Sequence, residues 1–156
     1  AVAAPRMTRV ICGGVESALA ELPDGYFDCI TFNDVLEHLV DPWAILRALR
    51  PKVSADGIVL ASIPNLRHFP VMMSLLFKGD FRYAVDGVLD KTHLRFFTKQ
   101  SMQRLLEESG YGVTRIQGLR WTRFPLLLNL VNRLSARSLD DMHYLQFAVE
   151  ARPVSP

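Results

Sequence analysis

The chain has only two cysteines in 156 residues, and no cysteine or histidine pair has the spacing of a zinc site. Cys12 and Cys29 both lie in apolar stretches typical of strands, so we expect both thiols to be buried and reduced. The chain also lacks a signal-peptide pattern and an apolar run of about 18 residues. These absences together predict a cytoplasmic protein with no membrane span.

A strong excess of one charge is also missing, because 18 basic and 16 acidic residues leave a formal net charge of +2. Such a balance does not favour nucleic acid or an anionic membrane as a partner. Arginines are more frequent late in the chain, but we expect them on ordinary solvated faces and predict no nucleic-acid partner. With 49% hydrophobic residues, residues 1–156 are long enough for a single domain with its own core.

Two apolar strands that end in polar residues carry most of the functional information. The first, Phe27 to Phe32, runs directly into Asn33 and Asp34. A helix follows, for which Asp41 is the expected N-cap, and it leads to a second strand at Ile58 to Ile63. This βαβ unit predicts two adjacent parallel strands whose carboxyl ends lie at one edge of the sheet, where open α/β folds bind ligands.

The remaining pattern predicts roughly five strands in a parallel-rich sheet flanked by helices. An additional short strand is expected at Arg9 to Gly13, and Tyr111 to Gly118 and Tyr144 to Glu150 alternate as strands do. The predicted helices are His68 to Phe77, the segment from Thr98 to Gly110, and Pro125 to Leu134. Lys78 to Phe97 has no clear period and is interpreted as a long active-site loop.

Three ordered motifs link this pattern to a known family. They are NDVLEHL at 33–39, SIPN at 62–65 and LDKTHLRFFT at 89–98. On these motifs the chain resembles the class I S-adenosylmethionine-dependent methyltransferases, in a branch with small domains. The resemblance implies a Rossmann-like, mostly parallel sheet with an antiparallel edge pair. It also implies S-adenosylmethionine as cofactor and a small-molecule or carbohydrate-linked acceptor of the methyl group.

The chain departs from the family pattern at its amino-terminal side, where a complete member has a strand and a GxGxG loop. Only Gly13 and Gly14 occur there, and no acidic strand end is present for the ribose hydroxyls. We therefore interpret the chain as the carboxyl-terminal part of a methyltransferase domain, with weak or absent cofactor binding. The alternative is a non-catalytic protein-interaction or regulatory module that has lost cofactor binding.

The resemblance assigns the first set of site residues to the cofactor. Asn33 and Asp34 are expected to contact its amino-acid end, and we add Val35 and Gly14 to this cofactor-binding set. The alternative for Asp34 is structural, since short polar residues often cap the helical turn that follows a strand.

A second set of residues is predicted to serve the acceptor. Asn65, His68 and His93 are the candidate catalytic residues, because an imidazole with a pKa near 6.5 can remove a proton near neutral pH. His38, Arg95 and Tyr83 are the candidate substrate-binding residues. The alternatives are a buried structural hydrogen bond for His93 and an ion pair with Asp90 for Arg95.

A metal site is a weaker hypothesis. If the turn after Asp34 is helical, Asp34, Glu37 and His38 project to one side and could ligate a divalent ion. A hydrogen-bonded histidine and an exposed glutamate are the commoner outcome, so we predict no metal there.

Two surfaces suggest self-association. With the family's first strands missing, the strand Phe27 to Phe32 would leave an open sheet edge, at which two copies could pair. The predicted helix at 124–134 has a broad apolar surface, which we expect to pack on the sheet or on a second subunit. The alternative for this helix is contact with lipid or with a lipid-like substrate.

Overall fold

The computed structural model describes residues 7–154, which form a four-stranded sheet with helices. The strands are β1 (Phe27–Asn33), β2 (Val53–Pro64), β3 (Tyr111–Trp121) and β4 (Tyr144–Pro153). The α-helices are α1 (Val15–Ala18), α2 (Pro42–Leu49), α3 (Phe69–Met73), α4 (Lys99–Glu108) and α5 (Leu126–Leu134). A π-helical turn, Ser74–Lys78, continues α3, and short 3₁₀ turns lie at Leu19–Glu21, Leu36–His38, Arg50–Lys52 and Asp140–His143.

The sheet order is β1-β2-β4-β3, with β1 parallel to β2 and β4 antiparallel to both of its neighbours. The last strand of the chain is thus inserted between β2 and β3. This arrangement confirms the predicted Rossmann-like class with an antiparallel pair. Within residues 7–154, β1 pairs only with β2 and is an edge strand.

The two principal helices begin where the sequence predicts. At the start of α2, Asp41 Oδ1 accepts a hydrogen bond of 2.9 Å from the Ala44 amide, and proline occupies the first turn. At the start of α4, Thr98 and Ser101 form a reciprocal capping box. Both helices bury an apolar stripe against the sheet.

The core lies between these helices and one face of the sheet. The helices contribute Ile45, Leu46, Leu49, Met102, Leu105 and Leu106, and the strands contribute Phe32, Val59, Ala61, Ile63, Phe147, Val149 and Ala151. Tyr111 is also buried there, and its hydroxyl donates a 2.8 Å hydrogen bond to the Leu46 carbonyl. The opposite face carries an open groove lined by Asn33, Leu60, Arg115, Ala148 and others.

Residues 7–154 form four strands and not the roughly five that the sequence predicts, because Arg9 to Gly13 does not form a strand. Arg9 instead pairs with Glu21 on the surface. Both cysteines are exposed, contrary to the expectation that they are buried. Cys29 is exposed because it lies on the uncovered face of β1, and Cys12 because its segment is not incorporated into the sheet.

The strand β2 begins earlier than the sequence suggests. The strand starts at Val53 and not at the predicted Ile58, and its register with β1 shifts between Phe27 and Cys29. A Cβ atom on Gly57 would lie 2.8 Å from the Phe27 carbonyl oxygen, so only glycine permits this close approach. The helix expected over His68 to Phe77 is present, although its second half is π-helical. No helix in the described part of the chain is both long and apolar enough to cross a membrane.

Candidate functional site

A pocket of about 240 Å³ lies at the carboxyl ends of β1 and β2. Six of its lining residues offer polar groups: Asp34, His38, Asp90, His93, Arg120 and Gln146. The first two follow β1, Asp90 and His93 come from the long loop, and the last two are delivered by β3 and β4. The pocket therefore lies where the sequence predicts, with the sheet and the loop contributing together.

Asp34 is held at the pocket by the sheet. Its backbone is in the left-handed region at a φ of 52°, which aspartate tolerates better than most residues, and its amide donates to the Ser62 carbonyl at 3.1 Å. The Gln146 side-chain amide donates to the Asp34 carboxylate and, at 3.1 Å, to the Ser62 hydroxyl. Among residues 7–154 no side chain caps the turn Leu36–His38, so the capping alternative for Asp34 is wrong.

Glu37 is the most unusual group near the pocket. Its side chain is 1% exposed, and neither carboxylate oxygen has a hydrogen-bond partner among residues 7–154. Burial raises the pKa of the Glu37 carboxyl to about 7, and the negative charge of Asp34 acts in the same direction. The expectation that Glu37 is exposed is therefore wrong. Its backbone carbonyl accepts hydrogen bonds from the Leu94 and Arg95 amides, which secures the loop above it.

Two histidines face this carboxyl, and their backbone contacts determine which nitrogen carries the proton. His93 Nδ1 lies 3.0 Å from the Val88 carbonyl, and His38 Nδ1 lies 3.1 Å from the Thr92 carbonyl. A carbonyl only accepts hydrogen bonds, so Nδ1 is protonated in both rings and each neutral imidazole keeps its lone pair on Nε2. His93 Nε2 lies 4.0 Å from Glu37 Oε1, and the two imidazole centres are 4.7 Å apart.

The Glu37 carboxylate oxygens and the Nε2 atoms of His38 and His93 are hydrogen-bond acceptors that no donor in the described part of the chain reaches. One ligand atom from each of Glu37, His38 and His93 lies within 4.8 Å of the others. Such a cluster is stabilised by a proton or by a cation, and two imidazoles with one carboxylate suit a divalent transition metal. The geometry thus changes the candidate metal set, because His93 replaces Asp34 beside Glu37 and His38.

A hydrogen-bonded turn at Asp90 and Thr92 contacts His38 from the loop side. The Thr92 amide and hydroxyl both donate to Asp90 Oδ1 at 2.7 Å, and these hydrogen bonds lower the pKa of the Asp90 carboxyl. Since the Thr92 hydroxyl donates to Asp90, its oxygen accepts from His38 Nδ1 at 3.2 Å. This contact again places the His38 proton on Nδ1.

Asn65 and His68 are not brought to this pocket. Asn65 is fully buried, and its amide nitrogen donates to the carbonyls of Asp141 and Tyr144, both at 2.9 Å. His68 Nε2 bonds with the Thr122 hydroxyl at 2.9 Å, and burial lowers the pKa of its imidazole. Through these hydrogen bonds both side chains connect the end of β2 to the region between β3 and β4. Neither of these two candidate catalytic residues lines the pocket with Asp34.

The predicted acceptor residues Arg95 and Tyr83 lie outside the pocket lining. The Arg95 guanidinium donates to the Val40 carbonyl, with 3.1 Å from Nε, and not to Asp90. Tyr83 is largely exposed and packs edge-on against Phe81, with ring centres 5.5 Å apart. Both residues thus shape the loop around the pocket.

The predicted cofactor residues are dispersed. Asn33 is exposed and lines the groove on the opposite face of the sheet, while Val35 packs partly buried against the core. Gly14 precedes α1, where its carbonyl accepts from Ser17. Of this set, only Asp34 lines the pocket.

Sequence reasoning missed Gln146 and Arg120. Gln146 lies in a strand that the alternation did predict, but its position depends on the pairing of Pro64 with Gln146 across β2 and β4. No local pattern reports such a register. Arg120 follows the predicted end of its strand and adopts a φ of 53°, which the sequence does not signal.

Comparison with known proteins agrees with this geometry. A family model described as a methyltransferase domain matches residues 8–116. The ubiquinone biosynthesis O-methyltransferase of Chromobacterium violaceum is 28% identical over 121 residues, which cover 76% of this chain and 50% of that protein. The chain thus spans about half the length of the curated relatives it matches.

Solved structures show the same fold at low identity. A SAM-dependent methyltransferase from Archaeoglobus fulgidus superposes with a TM-score of 0.64 at 16% identity, covering 92% of this chain and 66% of that one. A possible histamine N-methyltransferase from Thermotoga maritima also gives 0.64, at 17% identity, covering 98% of this chain and 68% of that one.

Proposed function

Because the chain belongs to the class I S-adenosylmethionine-dependent methyltransferases, we propose that it provides the acceptor side of an enzyme that methylates a hydroxyl group. The acceptor in this proposal is a small or carbohydrate-linked molecule. The observation that carries the proposal is the meeting of two Nε2 lone pairs with the buried Glu37 carboxyl beside the pocket. A hydroxyl supplies the proton donor that this cluster lacks. The oxygen-methylating relatives support the same choice of atom.

The size of the pocket favours the acceptor as its occupant. Sites for drug-sized ligands measure roughly 300–1,000 Å³, and this pocket is smaller, at about 240 Å³. Ahead of β1, residues 7–26 contain neither a glycine-rich loop nor a strand that ends in an acidic residue for the ribose hydroxyls. By themselves these residues do not form a complete cofactor site, although Asp34 at the end of β1 supplies one polar edge of it.

We assign the proton transfer to His93. Its Nε2 faces away from the Val88 contact and accepts the proton of the acceptor hydroxyl as the oxygen gains the methyl group. The Glu37 carboxylate, 4.0 Å from Nε2, stabilises the imidazolium that results. His38 accepts a hydrogen bond from a second donor on the acceptor, and Arg120 attracts a negative group at the pocket wall.

A divalent metal held by Glu37, His38 and His93 is a second way to use the same cluster. The orphaned carboxylate favours it, because a buried anion without a donor is costly and a cation removes that cost. A metal there would lower the pKa of a hydroxyl that binds to it. Metal dependence of the methyl transfer distinguishes this use from direct deprotonation by His93.

We further infer a single cytoplasmic domain that forms a dimer through the open edge of β1. The exposed edge strand supports the dimer. Asn65 and His68 are proposed to act as positioning residues, since their polar atoms already bond to protein groups.

The proposal is tested in a longer protein, in which the chain is extended upstream by the glycine-rich half of the family. Release of S-adenosylhomocysteine is measured with a panel of hydroxylated small molecules and glycosides as acceptors. Methylation of a hydroxyl by the parent and its loss in His93→Ala support the proposal. Tight cofactor binding with methylation of no acceptor, or of amines alone, contradicts it. If the longer protein neither binds the cofactor nor methylates any acceptor, the non-catalytic alternative is correct.

A further inference from the structure

The helix α5 exposes its apolar side to solvent and buries a polar residue, which is the reverse of an ordinary surface helix. Leu126, Leu127 and Leu134 are 81%, 74% and 79% exposed, and Leu130 is exposed as well. The buried residue of the helix is a polar one, Asn132. Surface helices normally turn their apolar stripe towards the core and their polar side towards water.

The spacing of the leucines gathers them on one side. At about 100° per residue, positions 126, 130, 134 and 127 fall within an arc of about 100°. Asn132 lies on the opposite side of the helix. The leucines therefore form one continuous apolar strip, which we call the leucine strip: Leu126, Leu127, Leu130 and Leu134.

Hydrogen bonds fix this orientation. The Asn132 amide nitrogen donates to Asp140 Oδ1 at 2.7 Å, and its oxygen accepts from the Leu139 amide at 2.9 Å. Its backbone carbonyl accepts from the Arg137 amide at 2.8 Å. Rotating the helix to bury the leucine strip would break the two side-chain bonds and leave polar groups unpaired. The strip is thus held outward by specific contacts.

The surroundings of the strip are positively charged. From residue 109 to residue 139 the sequence has five arginines and neither aspartate nor glutamate. Arg123 and Arg133, which flank the strip, are exposed and make no ion pair within residues 7–154. Trp121, just before this region, is 59% exposed. Tryptophan and arginine next to exposed leucine suit the boundary between lipid headgroups and acyl chains.

We propose that α5 docks on the surface of an anionic lipid bilayer. The leucine strip enters the acyl boundary, and Arg123 and Arg133 bind the lipid phosphates. The charge pattern favours this occupant over a second copy of the chain. A two-fold interface at the strip would bring the same unpaired arginines of both copies together, and like charges there oppose association. This inference does not depend on the methyl-transfer proposal.

The test is co-sedimentation with vesicles of phosphatidylcholine containing 30% phosphatidylglycerol, compared with pure phosphatidylcholine, at low and high salt. The variants are Leu126→Gln/Leu130→Gln for the strip and Arg123→Gln/Arg133→Gln for the charges. Tyr26→Ser removes an equally exposed apolar side chain away from α5 and is the matched control. All these positions are exposed, so circular dichroism spectra should match the parent chain.

We expect the parent to bind the anionic vesicles and to be released by salt. Each arginine removed should weaken the partition about fivefold, and the leucine variant should lose binding while Tyr26→Ser retains it. Equal binding to neutral vesicles, or equal loss in Tyr26→Ser, overturns the proposal. The proposal is also overturned if the parent binds no vesicles but is a dimer in sedimentation velocity, while the leucine variant is a monomer. That result shows that a second copy covers the strip.

Discussion

His93 Nε2 lies 4.0 Å from Glu37 Oε1, and both side chains are buried. The His93 ring carries its proton on the other nitrogen, so this pair meets acceptor to acceptor. Such a contact is stable only when a proton or a cation is shared between the two groups.

Glu37 should make the stability of the chain fall as the pH rises. The ordinary pKa of the carboxyl is 4.5 and the folded value is about 7, so between these values the folded chain binds the extra proton. The loss reaches at most about 3 kcal/mol by the time the pH has passed the folded pKa. Glu37→Gln should remove this slope and stabilise the chain at pH 8, as measured by urea unfolding at several pH values. An unchanged slope in Glu37→Gln contradicts the assignment, and Glu107→Gln, at an exposed position, is the control.

A divalent cation should reverse that trend if it binds at the cluster. Ligation requires an ionised Glu37 and neutral imidazoles, so affinity for Zn²⁺ or Mn²⁺ should rise between pH 6 and pH 8. Calorimetry on the parent, His38→Gln and His93→Gln should show binding only in the parent. His68→Gln, which lies at the Thr122 contact, should bind as the parent does. Equal binding by parent and His93→Gln would place the metal elsewhere.

The exposed cysteines give a test of the fold itself. Both Cys12 and Cys29 should react with a thiol reagent in the native chain without denaturant, because neither is covered. Pairing of the β1 edge with a second copy should slow the reaction of Cys29 relative to Cys12 as the protein concentration increases. Two thiols that react only after unfolding would contradict the exposed face of β1.

Local chemistry explains how much of this structure is predictable from sequence. Asp41 with Pro42, and Thr98 with Ser101, place helix starts correctly because a cap needs only neighbouring residues. The β1–α2–β2 unit follows from the same local signals, and it determines where the pocket lies. Asp34, His38 and His93, which the strand ends and the motif single out, all line this pocket.

The features that the sequence does not predict depend on contacts between distant parts of the chain. Asn65 and His68 end a strand as Asp34 does, but Asp141, Tyr144 and Thr122 satisfy their side chains. The role of Gln146 depends on the antiparallel register of β4 against β2. Cys29 is exposed although its strand is apolar, because coverage of a sheet face depends on which helices are present. The sequence of one strand does not report that coverage.

The roles of Asp34 and His93 should separate in a version of the protein extended by an upstream glycine-rich half. His93→Ala should lower methyl transfer by about 10²- to 10⁴-fold, the usual contribution of a positioned base, without changing the affinity for S-adenosylmethionine. Asp34→Ala should weaken that affinity, because Asp34 ends β1 beside the expected cofactor edge and is held there by Gln146. The two quantities are measured by product formation and by calorimetry for both variants, with Asp86→Ala in the same long loop as an exposed control. If His93→Ala transfers methyl groups at the parental rate, the imidazole serves only its hydrogen bond to Val88.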